Sequence, residues 1–127
     1  MIRLTKEEII LFHEMLIDRY GGLHGIRDEG LLDSALNMPY QGYGDFEFYP
    51  SIHEKAVRLC FGLVKNHPFL DGNKRIGALV LLVTLELNHI AIKTTADDLA
   101  AIILRLAAGE IADKELLQWV YDHLDYS

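Results

Sequence analysis

The chain has 127 residues, half of them hydrophobic, with a formal net charge of −7 and one cysteine. That length suits a single domain over residues 1–127 with enough apolar material for a core. The acidic balance argues against nucleic acid as the main partner, because neutralising phosphates needs a basic surface. The lone Cys60 cannot form an internal disulfide and reads as a core thiol in a reducing compartment.

In chain order, Thr5-Lys6-Glu7-Glu8 is a capping box. It opens a helix with Ile9, Phe12, Leu16 and Tyr20 at helical spacing, stopped by Gly21-Gly22. Residues 23–28 form a loop. A short helix over Glu29–Asn37 follows, with Leu31, Leu32, Ala35 and Leu36 as its apolar set. Pro39 and Pro50 bracket an aromatic, glycine-bearing loop over 40–49, with a short extended piece at 45–49. Ser51-Ile52-His53-Glu54 is a second capping box. Its helix runs through Lys65 and turns Val57, Cys60, Phe61 and Val64 to the core. Pro68 ends it and pushes His67 towards an extended conformation. The helix from Asn73 to Asn88 is apolar nearly all round, so it is expected at the centre. Thr94 or Thr95 caps the next helix, with Leu99, Ile102, Ile103 and Leu106 inward. Asp113 caps the last, with Leu116, Leu117, Val120, Tyr121 and Leu124 facing in. The expectation is an all-α bundle of about six helices around a buried central one. The N-terminus is not a signal peptide. The apolar run over 76–85 is too short for the ~20 residues a bilayer span needs, so a soluble cytoplasmic protein without membrane contact is expected.

The densest chemistry lies in His67-Pro68-Phe69-Leu70-Asp71-Gly72-Asn73-Lys74-Arg75, just ahead of the central helix. The first N–H groups of a helix are unpaired and partly positive, so they attract anions. His67 is the candidate general base. A lone histidine here would more often bond the last carbonyls of its helix, but the neighbouring Asp, Asn, Lys and Arg favour chemistry. Asp71 is the candidate Mg²⁺ ligand, and the same position would suit an ordinary N-cap. Gly72 allows close backbone approach or positive φ. Asn73 can cap or orient a phosphate oxygen. Lys74 and Arg75 oppose the helix dipole, which a bound anion would explain; otherwise they are a solvated pair. Lys65 adds a third cation nearby. The pattern is not a P-loop, and the histidines lack zinc-ligand spacing.

These residues resemble the Fic/Doc family, and its Doc (death-on-curing) toxins above all. The Fic branch reads His-Pro-Phe-x-x-Gly-Asn-Gly-Arg and the Doc branch His-x-Phe-x-Asp-Ala-Asn-Lys-Arg. This chain combines His67-Pro68-Phe69 and Gly72 of the first style with Lys74 of the second. Tyr20-Gly21-Gly22-Leu23-His24-Gly25-Ile26-Arg27-Asp28 and Gly30-Leu31-Leu32-Asp33-Ser34-Ala35-Leu36 resemble the Doc amino-terminal pattern.

The resemblance implies a Fic fold and transfer of part of ATP to a protein hydroxyl. For a Doc-like toxin it implies γ-phosphate transfer to Thr or Ser, with elongation factor Tu as target and arrest of translation. It further implies catalytic roles for His67, Asp71, Lys74 and Arg75, with Mg²⁺ on Asp71. ATP phosphates would be held by Phe69, Gly72, Asn73, Lys74 and Arg75. A target-binding flap or β-hairpin would include Tyr40, Gly42, Tyr43, Asp45, Phe46, Glu47 and Phe48. Lys74 fills the place of a Fic glycine that leaves room for the β-phosphate. Ala78 replaces the second Fic arginine, which weighs against AMP transfer, the alternative activity. The chain shows no Ser/Thr-x-x-x-x-Glu-Gly/Asn inhibitory helix, so restraint is expected from a small antitoxin in trans. A non-catalytic binding module is the reading from another class.

Overall fold

Both capping boxes form. Thr5 Oγ1 accepts from the Glu8 N–H at 3.1 Å, and the Glu8 carboxylate accepts from the Thr5 N–H at 2.9 Å. These bonds hold the Glu8 carboxyl below its ordinary range. Ser51 and Glu54 repeat the arrangement at 3.0 and 3.3 Å. A cap of this kind satisfies N–H groups that the helix cannot pair itself. In the computed structural model, which describes residues 1–126, the two boxes open α1 (Lys6–Tyr20) and α3 (Ile52–Asn66). Between them lie α2 (Glu29–Asn37), a 3₁₀ turn (Met38–Tyr40) and a hairpin of β1 (Gly42–Tyr43) with β2 (Phe46–Glu47). After α3 come α4 (Asn73–Leu87), α5 (Ala96–Ala107) and α6 (Asp113–Asp122). Apart from the antiparallel hairpin, the described residues are all-α, as the hydrophobic periodicity predicts.

The pair α3–α4 is the centre of the molecule. On one side Val57, Cys60, Leu81, Leu85, Ile103, Leu106, Leu116 and Val120 join α3 and α4 to α5 and α6. On the other, Ile9, Leu32, Leu63, Phe69, Ile76 and Val80 join them to α1 and α2. Gly77 sets how closely the two central helices approach, since a Cβ there would lie 2.6 Å from Val64 Cγ2. The central α4 is therefore shared with α3, which buries Ala56, Leu59, Gly62 and Leu63 in addition to the expected Val57, Cys60 and Val64. Phe61 is only half-buried, beneath the Arg58 guanidinium 4.5 Å from its ring.

Four expectations need correction. His67 is not extended: it caps α3 at φ 49°, ψ 54°, in the left-handed region. Proline disfavours the right-handed helical state of the preceding residue, and the carbonyls on either side of that peptide are captured by Arg27 and Asp28, as set out below. Asp113 is the first residue of α6 and does not cap it; the cap is Ala112, and the Asp113 carboxylate accepts from Arg58 at 3.4 Å. Tyr121 is exposed, its ring set against His53. Lys65 turns away from the 67–75 turn and donates to Leu106 O at 3.5 Å, a favourable place for a cation near the end of α5. Thr95 caps α5, accepting from the Asp98 N–H at 3.1 Å. No described helix is long and apolar enough to cross a membrane.

Candidate active site

The turn from His67 to Gly72 joins the C-terminus of α3 to the N-terminus of α4. Its shape is set from inside by Asn73. That buried amide accepts from the Phe69 N–H at 3.0 Å and donates to Phe69 O at 3.1 Å. Phe69 is 1% exposed and stacks on the buried His13 ring, with centroids 3.8 Å apart. His13 Nε2 in turn lies 2.7 Å from Asp71 O, where it donates to that carbonyl. Phe69 and the Asn73 side chain thus face the core and shape the loop. What Asn73 offers outward is its backbone N–H.

A second chain segment is laced along the turn. Ile26 bridges Phe69, Leu70 N–H donates to Gly25 O at 3.0 Å, and the Arg27 and Asp28 N–H groups both donate to Pro68 O. The Arg27 side chain adds Nε to His67 O at 2.6 Å and a terminal nitrogen to Asn66 O at 2.9 Å. Leu23 N–H donates to Asp71 Oδ2 at 3.2 Å. Gly22 is required by that closeness: its φ is 115°, and a Cβ would come 2.6 Å from Asp71 Oδ2. The double glycine that ends α1 thus also makes room for the Asp71 carboxylate.

Outward, the turn presents His67, Asp71, Lys74 and Arg75, all exposed. The His67 imidazole has no hydrogen-bond partner among the described residues. Gly72 is the N-cap of α4, at φ 75°, and no side chain caps the helix. The N–H groups of Asn73, Lys74 and Arg75 are left to solvent or an anion. The Arg75 guanidinium lies over the Tyr20 ring at 4.6 Å, and neither Arg75 nor Lys74 has a carboxylate partner among the described residues. Asp71 does not cap α4 by way of the first-turn N–H groups. Its Oδ1 accepts from the Gly72 N–H at 2.9 Å and its Oδ2 from Leu23, so each oxygen keeps a lone pair.

No group of three or more metal-ligating side chains occurs among the described residues. One carboxylate fits a divalent ion that completes its shell with phosphate oxygens and water, the habit of Mg²⁺ at nucleotide sites. It does not fit an all-protein cage. Beside Lys74 and Arg75, an apolar groove of about 490 Å³ runs between α1, α4 and α5, lined among others by Tyr20, Ala78, Leu82 and Leu104.

The hairpin is separate from this turn. Tyr43, Phe46 and Phe48 are exposed, with Tyr43 at 85%. Asp45 is at the tip. Tyr40 lies outside the hairpin, in the 3₁₀ turn, with Arg3 stacked 3.7 Å above its ring; its half-burial raises the phenol pKa. Glu47 pairs at 2.9 Å with the buried Lys55 of α3, which also donates to Tyr49 O. Lys55 precedes His67 by twelve residues, about 18 Å along the helix axis. The described contacts of the hairpin include none with residues 67–75.

Sequence reasoning missed His13, Arg27, Tyr20 and Gly22 as parts of this site. His13 left a signal: it stands four residues from both Ile9 and Ile17, a polar group on an inward face. Arg27 left none, because its partners are main-chain carbonyls forty residues away.

The model of the Fic/DOC family matches residues 3–85. Among curated relatives, Toxin Doc of Mycolicibacterium smegmatis is 33% identical over 78 residues, 61% of this chain and 60% of the relative. That match therefore spans less than two thirds of the relative's length. Protein kinase doc of Escherichia phage P1 is 29% identical over 112 residues, 88% of this chain and 87% of the relative.

Proposed function

The chain belongs to the Fic/DOC family, and from that premise we propose that it is a Doc-like toxin that transfers the γ-phosphate of ATP to a Thr or Ser hydroxyl of a protein. One observation supports this above others. An exposed imidazole, an exposed carboxylate and an uncapped helix N-terminus with two unpaired cations all meet at one turn. His67 takes the hydroxyl proton as the oxygen attacks the γ-phosphorus, and the bond from that phosphorus to the β–γ bridging oxygen breaks, releasing ADP. The N–H groups of Asn73, Lys74 and Arg75, with the Lys74 ammonium and the Arg75 guanidinium, bind the charge on the transferred phosphoryl group. Asp71 would hold Mg²⁺ together with nucleotide oxygens, and the ion when bound neutralises phosphate charge. The hairpin, with its exposed aromatic side chains, lies away from the 67–75 turn and would contact a part of the target remote from the reacting hydroxyl.

The relative named a protein kinase favours phosphate transfer. So does Lys74, a long cation where AMP-transferring members carry glycine. AMP transfer remains the second reading, favoured by His67-Pro68-Phe69 and Gly72. Elongation factor Tu is the first target to try. As a toxin the protein requires a small antitoxin in trans. An acidic segment of that partner would find apolar contacts in the α1–α4–α5 groove and counter-charges in Lys74 and Arg75.

The test is intact-mass spectrometry of elongation factor Tu after incubation with the protein and Mg²⁺-ATP. One added phosphate, absent with His67→Ala and with Asp71→Ala, is the expected result. One added AMP would replace this reading with nucleotidyl transfer. No change on this factor or across a proteome labelled with tagged ATP would remove the enzymatic reading.

A further inference from the structure

We propose that Arg27 is a positioning residue for the reaction, holding His67 in the left-handed conformation from which its imidazole faces outward at the turn. The inference rests on the reading of His67 as the proton acceptor. The left-handed state is costly for a residue with a side chain. Pro68 closes off the ordinary helical state of His67, so the competing conformation is extended. Moving from φ 49°, ψ 54° to an extended geometry would swing both the His67 carbonyl and its side chain. Something must therefore select the observed state.

The Arg27 guanidinium is placed to do so. Its Nε and a terminal nitrogen reach two successive carbonyls, His67 O at 2.6 Å and Asn66 O at 2.9 Å. These are the last carbonyls of α3, where no further turn of helix can pair them. A planar fork with two fixed donors suits two neighbouring acceptors in a way a single ammonium does not. Its charge also lies at the negative end of the helix dipole. No carboxylate pairs with Arg27 among the described residues, so these carbonyls are what holds the side chain. The Arg27 and Asp28 main-chain N–H groups hold the next carbonyl, Pro68 O, at 2.7 and 3.0 Å. Those main-chain bonds survive a side-chain substitution, so the loop stays in place while His67 loses its clamp.

The experiment compares Arg27→Gln and Arg27→Lys with the unchanged chain. The first readout needs no nucleotide: the ¹³Cα and ¹³Cβ chemical shifts of His67, which report its backbone conformation. In Arg27→Gln they should move towards extended values while shifts in α5 and α6 stay put. Arg27→Lys, able to reach one carbonyl, should fall between. The second readout is phosphate transfer: kcat should drop roughly ten- to hundredfold in Arg27→Gln, as expected for a displaced base, with nucleotide KM little changed. Unmoved His67 shifts in Arg27→Gln would overturn the proposal, as would moved shifts with unchanged kcat. If the unchanged chain transfers nothing to any protein, the proposed function falls by itself. The shift readout then still decides whether Arg27 holds His67.

Discussion

Asn73 gives both ends of its amide to the main chain of Phe69, and His13 gives a ring nitrogen to Asp71 O. Side chains that shape a site need not face its ligand, and residue type alone does not say which will. The 67–75 motif marked His67, Asp71, Lys74 and Arg75, because charge in a turn is rarely there for packing, and the structure brings all four to the outside of one turn. The motif did not expose the left-handed backbone of His67, since the groups that select it come from Arg27 and Asp28. Cys60 shows the opposite case, where a bland expectation carries a sharp consequence. It is fully buried, and burial pushes its thiol from 9.0 up to about 12. Ellman's reagent at pH 8 should leave the native protein unlabelled and react once per chain in denaturant. Labelling of the native state at the rate of a free thiol would contradict the burial. The linkage has a definite sign. Between about pH 9 and 12 the unfolded thiol ionises while the folded one keeps its proton. The unfolded state then binds fewer protons, and stability falls as pH rises through that window. Below pH 9 the contribution is complete. Comparing urea midpoints of Cys60→Ala and the unchanged chain from pH 7 to 11 should show their difference shrinking only above pH 9.

Element by element, the signals that held are those completed within a few residues. Thr5 with Glu8, Ser51 with Glu54, and Thr95 with Asp98 all form the local bonds that their spacing requires. Asp113 is not the cap because α6 starts one residue earlier than that role needs, and at the cap the Glu115 carboxylate accepts from the Ala112 N–H at 3.1 Å. Asp113 lies inside the first turn, its carboxylate accepting from the Lys114 N–H and from Arg58. The near-uniform apolarity of α4 is only partly burial, as Ala78, Leu79 and Leu82 line the groove beside α5. The glycines and aromatics marked the 40–49 segment as a loop with a short extended piece, and a hairpin forms there, but its anchor was not legible. Lys55 reads as a polar residue on a helix, yet its side chain is 7% exposed and fastens Glu47 and the Tyr49 carbonyl to α3. Lys55→Met keeps the apolar stem and removes the charge, and the Glu47 carboxylate, itself more than half exposed, can turn to water in place of its lost partner. The substitution should unfasten the hairpin with little loss of global stability. Amide exchange at Tyr43 and Phe46 should quicken about tenfold or more as local opening becomes easier. Under the proposed function, KM for the protein target should rise while KM for ATP stays. Unchanged exchange at these amides would show that the strand bonds, not Lys55, hold the hairpin.

For the molecule as a whole, the proposed base and the uncapped helix end proposed to bind phosphate belong to the two helices that share the core. His67 caps the end of α3, the first turn of α4 begins six residues later, and both helices bury side chains in both apolar clusters. Such a scaffold anchors the turn from both helices, so binding and proton transfer should be separable by mutation. Thermal melting with a non-hydrolysable ATP analogue tests this. A ligand at a hundred times its Kd adds about 2.7 kcal/mol to the folded state, and for a domain of this size that raises Tm by roughly 10 °C. The unchanged chain should show such a rise with Mg²⁺ and a smaller one without it. Asp71→Ala should lose the Mg²⁺-dependent part. His67→Ala should keep the full rise while losing all transfer, because in the proposed role its imidazole meets the hydroxyl and not the phosphates. If His67→Ala loses the rise as well, His67 is part of the nucleotide seat and its role as proton acceptor fails. If Asp71→Ala keeps it in full, the divalent ion is held elsewhere.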